Sequence, residues 1–167
     1  TVAKFERPAG ITTDGINLYV ADYINHTIRK IEISSGEVST IVGSAGNSGT
    51  TDGTGSVARF YYPRGITTDG TNLYVADYSN NTIRKVVIST GVVTTFAGTA
   101  GTIGSTNGTA TVAKFNKPEA LTTDGTNLYV ADTNNHLIRQ IEISSGVVTT
   151  LTGTVGTFGS TDGSSME

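Results

Sequence analysis

Apolar and polar residues along this chain follow a period of two rather than 3.6. In Leu18-Tyr19-Val20-Ala21 every position is apolar, which fits a strand covered on both faces. Before it, Gly10 to Thr13 reads as a short first strand, with Asp14-Gly15-Ile16-Asn17 as the turn between them. Asp22 through His26 makes a second turn, and Thr27 to Ile33 a third strand. Ser34-Ser35-Gly36 then turns the chain into Val38 to Val42, a fourth strand rich in β-branched residues. A Gly/Ser/Thr-rich stretch from Gly43 to Gly55 follows. No window has helical spacing or helix caps. The pattern predicts an all-β protein.

The pattern also repeats. Val2-Ala3-Lys4-Phe5 returns as Val57-Ala58-Arg59-Phe60 and as Val112-Ala113-Lys114-Phe115, at a constant interval of 55 residues. Three tandem units, 1–55, 56–110 and 111–165, therefore fill a single domain spanning 1–167. Four antiparallel strands per unit, joined by short turns, are the arithmetic of a β-propeller blade. The expected architecture is three four-stranded blades. Each blade is apolar on both faces and so requires a neighbour on each side.

Tyr19-Val20-Ala21-Asp22, followed by Asn25-His26-Thr27-Ile28-Arg29, resembles the signature of NHL-repeat propellers. Unit three reads Asn135-His136-Leu137 after Tyr129-Val130-Ala131-Asp132. The Gly-rich tail with Asp52-Gly53, then Ala58-Arg59-Phe60 and Pro63, is similar to a longer variant found in secreted bacterial members. Unit two departs from the signature at Asn81, which replaces the histidine. The resemblance covers essentially the whole chain and implies a ring, mostly of six blades in that family. Three blades turn through about half of such a ring, which is the rotation of a two-fold axis. Two copies joined head to tail would close it with C2 symmetry. The expected partner is thus the chain itself, with the tail after Gly153 lying beside the start of unit one of the other copy. The alternative is that these units are a piece of a longer array, with no ligand of their own.

Composition narrows the function classes. Net charge is −3, with 11 Lys and Arg in all, and that provides no basic face for nucleic acid. No apolar run approaches the length of a membrane span, so no membrane insertion is expected. Cysteine is absent, which removes disulfides, thiolate metal sites and cysteine nucleophiles. Low charge with abundant Ser, Thr and Gly fits an extracellular or cell-surface setting.

The recurrent polar residues read first as structural. Asp22, Asp77 and Asp132 open turns, where a carboxylate accepts backbone N–H groups two or three residues on. Asn25, His26, Asn80, Asn135 and His136 belong to the same turns. The two histidines lie two blades apart, so no metal site is expected, nor any other cofactor. Arg29, Arg84 and Arg139 would pair with carboxylates of their own or the next blade. Tyr19, Tyr74 and Tyr129 read as packing between blades. The Gly-rich tails read as long surface connections without the lysine of a phosphate loop or the carboxylates of a calcium loop.

Functional candidates lie where units differ inside the shared frame. Glu6-Arg7-Pro8-Ala9, Tyr61-Tyr62-Pro63-Arg64 and Asn116-Lys117-Pro118-Glu119 occupy one loop. Tyr23, Tyr78 and Thr133 begin another. In a propeller both loop sets lie on one face, around the channel mouth. The candidate binding residues are therefore Arg7, Tyr23, Tyr61, Tyr62, Arg64, Tyr78, Lys117 and Glu119, suited to a protein, peptide or glycan. No catalytic constellation can be assembled, and the expected function is a non-enzymatic binding scaffold. Related six-bladed propellers include metal-dependent hydrolases and lyases. That resemblance implies an alternative whose ligands would come from Glu6, Asn116 and Glu119.

Overall fold

A computed structural model describes residues 2–163; the last positions of unit three, 164 and 165, lie outside them. The fold is all-β and forms a partial propeller of three antiparallel blades. Blade one is β1 (Pro8–Thr13), β2 (Asn17–Asp22), β3 (Thr27–Glu32) and β4 (Val38–Gly43), paired in chain order. A two-residue strand, β5 (Gly53–Thr54), precedes blade two: β6 (Pro63–Thr68), β7 (Asn72–Asp77), β8 (Thr82–Val87) and β9 (Val92–Ala97). Blade three is β10 (Pro118–Thr123), β11 (Asn127–Asp132), β12 (Leu137–Glu142) and β13 (Val148–Thr152). The observed strands exceed the sequence expectation by one or two residues at several ends. The turns after β7 and β11 tighten into 3-10 turns, Tyr78–Asn80 and Thr133–Asn135.

The core lies between blades. Alternation in β2 sends Tyr19 and Ala21 to one face and Leu18 and Val20 to the other. Tyr19, Ala21, Ile28 and Val42 of blade one pack against Ala58, Phe60, Ile66, Leu73, Val75, Val86 and Val93 of the second unit. The next layer repeats this with Tyr74, Ala76, Ile83 and Ala97 against Ala113, Phe115, Leu128, Val130, Ile141 and Val148. Tyr19 and Tyr74 pack between blades as read from the sequence, whereas Tyr129 lies half-buried on the outer face of blade three. Each tyrosine hydroxyl also donates to a turn carboxylate, Tyr19 to Asp14 and Tyr74 to Asp69, which satisfies the polar end of a buried ring.

The first strands of the blades converge, β1 against β6 and β6 against β10. Glycine permits this approach. A Cβ on Gly10 would lie 2.3 Å from the carbonyl oxygen of Arg64, and one on Gly65 2.7 Å from that of Glu119. Blade three carries Ala120 at the corresponding position.

The tails run over the surface, as the sequence reading has them, and in addition they brace the following blade. The tail of unit one crosses onto blade two, where β5 pairs with β9 and makes that sheet five-stranded. Gly108 makes the equivalent bridge to Val148.

Candidate functional site

The rim of the blades rests on a buried frame of carboxylates and arginines. Oδ1 of Asp77 accepts the backbone N–H of Tyr61 at 2.7 Å, and Oδ2 accepts Asn80 Nδ2 at 2.8 Å and Arg84 Nη1 at 3.0 Å. Asp132 does the same with Asn116, Asn135 and Arg139, and Asp22 with Glu6, Asn25 and Arg29. The backbone partner therefore lies 16 residues back, not two or three residues on as the turn reading expected. Each arginine pairs with the aspartate of its own blade, and Arg84 pairs as well with Asp52 of the preceding tail. Burial pushes Asp77 up, to about 6, against the pull of Arg84, and raises Asp132 in the same direction. Each guanidinium also covers a phenyl ring, Arg84 over Phe60 and Arg139 over Phe115, both at 5.2 Å.

The preceding tail completes this frame in blades two and three. Arg84 Nη2 donates to Thr51 O and to Asp52 Oδ1, and Asn80 Nδ2 to Gly49 O. Asp52 also accepts from the backbone N–H and hydroxyl of Thr95. In blade three the corresponding acceptors are Thr106, Asn107 and Gly104. Blade one has only the inner half: Arg29 donates to Asp22 and to Lys4 O, and Asn25 to Asp22. Sequence reasoning missed Asp52. Its signal was a polar residue at one tail position, recurring as Asn107 and Asp162.

Above the frame, the eight candidate rim residues form one continuous strip. Tyr23 stacks on Tyr62 at 4.7 Å and 17° between planes, and Tyr61 leans on Tyr62 at 4.7 Å. The Arg64 guanidinium lies 4.0 Å from the centre of Tyr78 and 5.3 Å from that of Tyr23. Lys117 covers Tyr78 at 4.8 Å, and Arg7 covers Tyr23 at 5.2 Å. Glu119 forms an ion pair with Arg64. Desolvation works against the charge of Arg64, but Tyr23 and Glu119 hold it above the ordinary arginine value. Arg7, Pro8, Ala9, Tyr23 and Arg64 enclose a recess of about 240 Å³.

The histidine turn supports this strip from below. Nδ1 of His26 accepts the backbone N–H of Tyr62 at 3.2 Å, and Asn81 Oδ1 accepts that of Lys117 at 3.0 Å. His26, Asn81 and His136 share a left-handed backbone, with φ of 57°, 58° and 59°. Burial lowers the His26 pKa from its ordinary value, opposed by its backbone contact with Tyr23. The residues named for a metal alternative are dispersed in role: the Glu119 side chain is paired with Arg64, while Glu6 and Asn116 contribute backbone N–H groups to the frame. Among the described residues, no group of three or more His, Cys, Asp or Glu side chains is placed to hold a metal ion.

No family model matches the chain. It is 35% identical over 163 residues to human NHL repeat-containing protein 2, covering 89% of this chain and 22% of that one. The chain thus spans about a fifth of the length of the curated relative it matches. Among solved structures, a Bacteroides thetaiotaomicron protein of unknown function is 28% identical with a TM-score of 0.64, covering 79% of this chain and 31% of that one. Virginiamycin B lyase from Staphylococcus aureus shares the fold at a TM-score of 0.62 and 18% identity, covering 95% of this chain and 44% of that one.

Proposed function

The chain belongs to the NHL-repeat family, and from that premise we propose that it is a non-enzymatic binding scaffold, two copies of which close head to tail into a six-bladed ring. The observation that carries the closure is the match between the outer faces of blades one and three and the two sides of the internal layers. Where Ile66 is 5% exposed inside a layer, its counterpart Ile11 in blade one is 60% exposed. Ile28 and Ile83 are fully buried, and their counterpart Ile138 in blade three is 38% exposed. Burial of such a side chain contributes roughly 1.5–3 kcal/mol, so both outer faces would gain by being covered.

The tail supports the same arrangement. Gly159, Thr161 and Asp162 stand at the positions of Gly49, Thr51 and Asp52. Asn25 and Arg29 of a second copy have the donors that those residues would accept. Support for binding over catalysis comes from the rim: its aromatic and cationic side chains are arranged for contact, and no nucleophile–base pair stands among them.

A second reading keeps the same faces but closes them with further blades of a longer chain, consistent with the limited share of the curated relative that is covered. Size-exclusion chromatography with light scattering, over a concentration series, decides between them. A mass near twice 17.3 kDa supports the ring of two chains, whereas a monodisperse 17.3 kDa species sinks it.

A further inference from the structure

We propose that the recess bounded by Arg7, Pro8, Ala9, Tyr23 and Arg64 binds the carboxylate of a small organic molecule. This deepens the reading of the rim as a binding face and rests on it. Every lining residue belongs to the first two units of one chain, and in a closed ring the backbone N–H of Arg7 would in addition face His136 of the second copy, as that of Tyr62 faces His26.

The charges argue first. Two guanidiniums line the recess, no carboxylate does, and the chain as a whole is acidic, at −3. Both guanidinium carbons lie close to one ring, 5.2 and 5.3 Å from the centre of Tyr23, so two like charges converge on a small space. Among the described residues Arg7 has no hydrogen-bonded or ionic partner, its one polar engagement being the face of Tyr23. Arg64 gives Nη1 to Glu119 and is also in reach of the Tyr23 hydroxyl, which leaves part of its fork open. A planar carboxylate matches the fork of a guanidinium in geometry.

The backbone argues second. Arg7 has φ of 54°, a conformation that glycine adopts freely and other residues rarely do. Tyr62 and Lys117, at the same position of the other blades, have φ of 57° and 56°. Strain of this kind costs on the order of 1 kcal/mol or more per residue, and in all three blades it is borne by a long side chain on the rim. The sum of charges chooses the ligand: Arg7, Arg64 and Glu119 together carry one positive charge. A monovalent carboxylate neutralises that, and a divalent phosphate overshoots it.

The test is a two-dimensional NMR titration of the intact chain with sodium benzoate, sodium acetate, sodium phosphate and sodium chloride at matched ionic strength. Saturable shifts centred on Ala9, Tyr23 and the arginine Nε–H signals are expected with benzoate and acetate, at affinities at least tenfold above those for phosphate or chloride. Arg7→Gln should weaken benzoate at least fivefold. Arg7→Gly, which relieves the backbone and so keeps the fold, should do the same, while Lys85→Gln on β8 should leave it unchanged. Equal shifts with chloride, tighter binding of phosphate, or unaltered affinity in both Arg7 variants would each overturn the proposal. The mass measurement stands apart from all three outcomes.

Discussion

The backbone N–H of Tyr62 donates to Nδ1 of His26, 36 residues earlier and one blade away. The bond requires that nitrogen to be unprotonated, and burial favours the neutral ring by lowering its pKa. The unfolded chain therefore takes up the proton first as pH falls. The stability that His26 contributes is complete above its unfolded value of about 6.5. It is lost progressively as pH falls from there through the lower folded value. Asn81 makes the equivalent bond with an oxygen that does not titrate. His26→Asn should therefore keep the fold and flatten the stability profile below about pH 6.5. Urea melts at several pH values read this directly, and an unchanged slope in the variant would show that His26 does not set it.

The buried Asp–Arg pairs predict a ranking among three otherwise equivalent arginines. Arg84 and Arg139 are 1% and 0% exposed in their side chains, and Arg29 is 15% exposed and lacks the tail. Removing one member of a buried pair strands the other, at a cost of about 3–5 kcal/mol. Arg84→Met and Arg139→Met should approach that range, and Arg29→Met should cost distinctly less. Asp52→Asn should cost under about 1 kcal/mol, because Asn107 already holds Arg139 in the same way. Thermal or chemical denaturation of the four variants checks the order.

Much of this was legible in the sequence, for physical reasons that particular residues make plain. Strands follow from a period-two pattern repeated three times, and the Asp14 turn from chemistry that acts over three residues, with Oδ1 accepting from Ile16 and Asn17. Asp22 also sits in a turn, but its backbone partner is Glu6, and nothing local announces a bond across 16 residues. The tails carry little apolar pattern, so β5 and the role of Asp52 were hidden. The rim was visible as variation within a shared frame. The Arg64–Glu119 pair could also have been read there, since opposite charges occupy one position of adjacent units.

If two chains close the ring, the tail should be the fastening. Deleting residues 154 to 167 should weaken association, and Asp162→Ala should do so more gently, by removing the acceptor for Arg29 of the second copy. Light scattering at falling concentration gives the dissociation constants. Full-strength dimers from the truncated chain would show that face packing alone holds the copies together.

A junction between chains would differ from the internal ones along the inner strand, where blade three has Ala120 and Leu121 in place of the Gly-Ile of blades one and two. Gly10 and Gly65 allow the next blade's backbone to come within 2.3 and 2.7 Å of where a Cβ would stand, and Ala120 carries that Cβ. In a ring of two chains Ala120 faces β1 of the other copy, so its methyl must be accommodated by a backbone shift at each of the two junctions. Ala120→Gly should then tighten association, even though glycine alone costs a strand roughly 0.5–1 kcal/mol in backbone entropy. The two effects have opposite signs and separate cleanly. The monomer should melt slightly lower while the dimer dissociates at lower concentration. Weaker association of the variant would mean that the junction between chains does not copy the junctions within them.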